Sequence, residues 1–87
     1  MLMRLFFLEV NFLMETHKFI RMDNLQDIKK LVNIVSSIDG KVTITKGNLK
    51  INAKSVLGLL SLDLSYGAKI TYPYNERLDN FLQPFEF

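Results

Sequence analysis

The stretch KVTITKGNLKINAKSVLGLLSL, Lys41–Leu62, changes its periodicity midway, and that change decides the fold. Lys41-Val42-Thr43-Ile44-Thr45 alternates, with Val42 and Ile44 on one face. Leu49-Lys50-Ile51-Asn52-Ala53 alternates again, so Leu49, Ile51 and Ala53 share a face. Between them Lys46-Gly47-Asn48 reads as a turn, because Gly and Asn tolerate positive φ. A hairpin is therefore expected. The alternation ends at Ser55, whose side chain is a preferred helix cap, and Val56 to Leu62 forms a short helix, apolar on more than one side.

Outward from this core the same logic supplies the other elements. Upstream, His17 to Met22 reads as a strand, with Phe19 on one side and Ile20 and Met22 on the other. Asp23-Asn24 starts a helix in which Leu25, Ile28, Leu31, Val32 and Val35 recur at spacings of three and four. Lys29, Lys30 and Asn33 take its outer side, Ser36-Ser37 weakens it and Asp39-Gly40 stops it. Downstream, Ser65-Tyr66-Gly67 is a turn and Ala68 to Tyr72 a strand ended by Pro73. Asn75 caps a last helix with a stripe of Leu78, Phe81, Leu82 and Phe85, which Pro84 cuts short. The order β-α-β-β-α-β-α predicts an α+β open-faced sandwich, a four-stranded antiparallel sheet with helices on one face.

Composition bounds the function. A chain of 87 residues has room for one core, and its 48% hydrophobic content argues against disorder. No cysteine is present, which excludes disulfides, thiolate catalysis and sulfur-ligated zinc, and is compatible with a cytoplasmic location. The formal charge is +2, and Lys29-Lys30 is the one adjacent basic pair in the chain, so no nucleic-acid partner is expected. With one His, no Gly-rich phosphate loop and scattered carboxylates, the chain is not expected to be an enzyme or to hold a cofactor or metal. Asp39 and Asp63 read as turn or cap residues.

Residues 1–14 differ from the rest, being apolar apart from Arg4, Glu9 and Asn11. They are too short for a membrane span and lack the cleavage site of a signal peptide. An extra strand or helix, or a leader upstream of the true start, remain as readings. The leader is favoured because Met14 opens a self-sufficient pattern, which assigns 15–87 to the domain.

The run Asn52-Ala53-Lys54-Ser55-Val56-Leu57-Gly58-Leu59-Leu60-Ser61-Leu62, followed by Gly67-Ala68-Lys69-Ile70, resembles HPr. HPr is the histidine-containing phosphocarrier of the bacterial sugar phosphotransferase system. The resemblance implies its fold from about Glu15 to Phe87. It also implies a possible phosphosite at Ser55, which matches the regulatory serine phosphorylated by a dedicated kinase in many Gram-positive bacteria. A capping role for Ser55 alone stays open beside that. Val56, Leu57 and Leu60 match residues through which HPr docks on partner proteins, whereas Leu59 and Leu62 are expected in the core.

The second HPr motif, His-Ala-Arg-Pro-Ala at the start of the first helix, is not matched. Counting back from Ile38-Asp39-Gly40 places Asn24 at the phosphoacceptor histidine, Gln26 at the arginine and Asp27 at the proline. An amide is not a useful phosphoryl nucleophile, Gln26 brings no charge, and Asp27 puts a carboxylate where the phosphate would sit. The expectation is a degenerate, cytoplasmic HPr-like protein without carrier activity, acting as a protein-binding or regulatory module, with phosphotransferase or HPr-kinase-like partners. Two alternatives stand: a carrier by an unrecognised route, or a structural or oligomerising protein that keeps the fold. His17, the single histidine, is read as a strand residue without a carrier role.

Overall fold

The hairpin turns on one glycine. In a computed structural model, which describes residues 15–87, strand β2 is Thr43–Lys46 and strand β3 is Leu49–Asn52, joined by Gly47-Asn48. Gly47 has φ 59°, while Asn48 stays out of the positive-φ region. The asymmetry fits a two-residue loop with Gly first, whose twist matches that of the flanking strands. The register runs from Lys46 opposite Leu49 to Thr43 opposite Asn52. One further bond, from the Ala53 amide to the Val42 carbonyl at 2.9 Å, prolongs the pairing past both strands. The expected leader at 1–14 lies outside the described residues.

Strand β1, Glu15–Ile20, begins two residues earlier than its apolar pattern suggests and pairs antiparallel with β4, Ala68–Pro73. β4 also pairs with β2, so the sheet order is β1-β4-β2-β3, antiparallel throughout. The helices among the described residues are α1, Leu25–Ser36; α2, Val56–Ser61; and α3, Glu76–Leu82. Single 3-10 turns follow α2 at Leu64–Tyr66 and α3 at Gln83–Phe85, the latter containing Pro84 as expected. The open-faced α+β sandwich is thus present.

Ile20, Leu31, Val35, Val42, Ile44, Leu59, Ile70, Tyr72, Leu78 and Leu82 have no exposed surface and form one core. Ile20 and Met22 are buried and Phe19 is exposed, as the strand pattern predicts. Phe81 and Phe85 pack against the core, their rings tilted 45° at 5.4 Å.

Two apolar residues depart from expectation. Leu25 is exposed, because it opens the first turn of α1 and the core position there is taken by Met22. Leu49 is exposed although its neighbours Ile51 and Ala53 lie against the helices. It stands beside the turn on the sheet's edge strand, past the end of the helix layer. Ile34, outside the expected stripe, is buried, because α1 packs against α2 and α3 as well as over the sheet.

Candidate functional site

At the start of α1, Asn24 is the N-cap, in extended conformation at φ −106° and ψ 124°. Its Oδ1 accepts from the Gln26 amide at 2.8 Å. Its carbonyl accepts from Asp27 and Ile28 at 3.1 Å each. Two of the first-turn amides, which elsewhere make a helix start an anion site, those of Gln26 and Asp27, are thereby engaged by Asn24 itself, while the Ile28 bond is the ordinary first bond of the helix. Gln26 is exposed, and Asp27 adds a half-buried carboxylate to the same turn. The chemistry of this corner is that of a self-satisfied cap.

At the start of α2, Ser55 Oγ accepts from the Gly58 amide at 3.1 Å. Asn52 supports this corner, its Oδ1 accepting from the Lys54 amide at 2.9 Å and its carbonyl from the Ser55 amide at 3.0 Å. A Cβ at Gly58 would stand 3.2 Å from Ser55 Oγ and 3.4 Å from Ile51 Cδ1, so glycine leaves room for the capping hydroxyl. Ser55→Ala should cost about 1 kcal/mol, because the Gly58 amide loses its acceptor; urea unfolding measures it, and an unchanged midpoint would dismiss the cap.

The two corners do not form one cluster. Lys54 Nζ donates to the Ile38 carbonyl at 2.9 Å, tying the Ser55 end of α2 to the far end of α1. The Met22 amide donates to the Leu64 carbonyl at 3.0 Å, tying the approach to Asn24 to the exit of α2. Asn24 and Ser55 therefore stand at opposite ends of the helix pair, whose longer member, α1, has twelve residues and is about 18 Å long.

Between these ends α2 divides sharply. Leu59 and Leu62 are core, while Leu57 is 82% and Leu60 48% exposed. Val56 is the first residue of the helix. Leu25 at the Asn24 end and Tyr66 beyond α2 add exposed apolar surface that sequence reading missed. Periodicity placed Leu25 inside, and only its position in the first turn of α1 hinted otherwise.

His17 lies on β1, exposed, with Nδ1 3.0 Å from Thr71 Oγ1 and Nε2 4.0 Å from Glu15. It points to the sheet face opposite the helices, away from both corners. Asp63 caps the turn after α2, accepting from the hydroxyl and amide of Ser65. Those two bonds, with Lys46 nearby, hold its carboxyl below the usual range. Among the described residues no group of three or more acidic or histidine side chains converges, and no helix is long and apolar enough to cross a membrane.

Among the described residues, an antiparallel four-stranded sheet in the order β1-β4-β2-β3, roofed by three helices with a capped short helix after the hairpin, defines an HPr-type domain. The sequence model described as "PTS HPr component phosphorylation site" matches residues 26–73, more than half of the chain, and the protein belongs to this family of the phosphotransferase system. The matched residues open at Gln26, two past Asn24. Members of the family interact with other phosphotransferase proteins. No curated protein matches the chain.

Proposed function

We infer that this protein is a cytoplasmic binding or regulatory module of the phosphotransferase system rather than a phosphoryl carrier or an enzyme. The observation that carries the reading is the division of α2: Leu57 and Leu60 face solvent on a helix whose remaining leucine, Leu59, is core. Leu57 and the outer half of Leu60 stay in water on a six-residue helix, and removing that apolar surface from water favours a partner. Ser55 lies at the N-terminal end of the same helix, so a phosphate there would change the charge beside the patch. Loss of carrier activity is supported by the residues of the other corner. Asn24 has no ring nitrogen to take a phosphoryl group, its cap occupies the Gln26 and Asp27 amides, and Asp27 opposes an anion.

The test uses purified enzyme I and HPr kinase. With enzyme I and phosphoenolpyruvate, intact mass should show no phosphoryl gain. Immobilised enzyme I or HPr kinase should retain the native chain and lose Leu57→Asp, whose circular dichroism should stay native because the side chain is exposed. Acid-labile phosphate on His17 would overturn the non-carrier reading. Equal retention of Leu57→Asp would overturn the role of α2.

A further inference from the structure

The sheet face opposite the helices gathers charges that the sequence disperses. In the register, Phe19, Lys69, Thr45 and Lys50 form one row across all four strands, and His17, Thr71, Thr43 and Asn52 form the next. Lys41, two residues before Thr43, continues the pattern on the same side. Among the described residues Lys41, Lys50 and Lys69 make no ion pair, and Glu15 is the one acid in this part of the face. A shallow polar trough of about 200 Å³ runs between these lysines, His17 and the threonines.

At one end the surface becomes aromatic. Phe19, Tyr66 and Phe87 are 58%, 81% and 64% exposed and line a second trough of about 350 Å³. The Arg21 guanidinium stands 4.9 Å over the Phe87 ring, and Lys46 Nζ 5.9 Å over that of Tyr66. Thr45 and Lys69 line both troughs, so the cationic and aromatic halves are continuous.

We propose that this open sheet face binds single-stranded nucleic acid, with phosphates along Lys41, Lys50 and Lys69 and bases stacked on Phe19, Phe87 and Tyr66. Cations alone would suit any polyanion; flat aromatic faces beside them favour bases, which every nucleotide supplies. A sheet of four strands spans about 14 Å, room for about two or three stacked bases. The lysines are spread between residues 41 and 69, which is why the charge pattern of the sequence predicts no such partner.

Fluorescence anisotropy of the full chain with a short labelled oligouridylate tests this. Displacing about three counterions should weaken binding about 20-fold between about 50 and 200 mM salt. Lys50→Glu with Lys69→Glu should weaken it more than tenfold and flatten the salt dependence. Phe19→Ala should weaken it about tenfold with the salt dependence unchanged. Leu57→Asp, on the other face, should have no effect, which separates this site from the α2 patch. All of these side chains are partly or fully exposed, and circular dichroism verifies the fold. Absence of saturable binding at low salt overturns the proposal. So does an unaffected Phe19→Ala together with equal competition by polyglutamate, which would assign the face to an acidic protein.

Discussion

Replacing Leu59 by alanine is expected to cost about 3 kcal/mol and to lower the melting temperature by roughly 12–24 °C, a large share of the stability of so small a domain. Leu59 has no exposed surface and sits where α2 meets the core. Its removal takes apolar atoms out of burial and leaves a cavity that a close-packed interior fills only in part. The same substitution at Leu60, the next residue, removes a side chain already half in solvent and should move the midpoint by no more than a few degrees. Differential scanning calorimetry of the two variants measures the contrast. Equal shifts would mean that α2 lies differently on the sheet, and the binding face assigned to Leu57 would fall with it.

Stability should also fall steeply in alkali, for a reason located at Tyr72. This side chain is fully buried, and its hydroxyl donates to Asp79 Oδ1 at 2.8 Å. Burial first, then the bond to Asp79 and the negative charges of Asp79 and Glu86, push its pKa far above the usual tyrosine value. Lys18 reaches into the same group, with Nζ 3.0 Å from Glu86 and 3.5 Å from Asp79. Burial alone would lower its pKa, but the hydrogen bond to Glu86 and the two carboxylates outweigh that and raise it. Both groups hold their protons longer folded than unfolded. Their contributions are complete below the unfolded pKa values and decline as pH rises past about 10. Tyr72 alone should then cost about 1.4 kcal/mol for each pH unit until its folded pKa is reached. Tyr72→Phe should begin about 1 kcal/mol less stable at neutral pH, since Asp79 loses a donor, yet show a shallower alkaline decline from Lys18 alone. Urea titrations at about pH 9, 10 and 11 compare the slopes, and an identical slope in the variant would refute the assignment.

The parts legible in sequence are those fixed by neighbours in the chain. The hairpin follows from two alternating runs and a glycine, and Asn24, Ser55 and Asn75 cap their helices as their side chains dictate. Leu25 and Leu49 depart from the apolar pattern because their burial depends on where the helix layer ends, which periodicity does not encode. Ile34 is buried because other helices flank α1, a fact of packing rather than of pattern. At the candidate site, the residues at each corner were readable, but their separation was not. It depends on Lys54 reaching Ile38 and Met22 reaching Leu64, contacts between segments far apart in the chain.

The segment Phe85–Phe87 runs along the outer side of β1. The Arg21 amide donates to the Phe85 carbonyl at 2.9 Å, Ile20 bridges to Glu86, and the Phe87 amide donates to the Phe19 carbonyl at 3.3 Å. β1 is an edge strand, and free backbone groups along such an edge invite a strand from another molecule. With these positions occupied from within the chain, the inner half of β1 is closed to strand addition. At the other edge, β3 is only four residues long and carries Lys50, a charge that a second sheet would have to bury. Among the described residues the inner half of one margin and the short, charged strand at the other thus resist self-templated aggregation, leaving the broad faces as the surfaces on which other molecules can act.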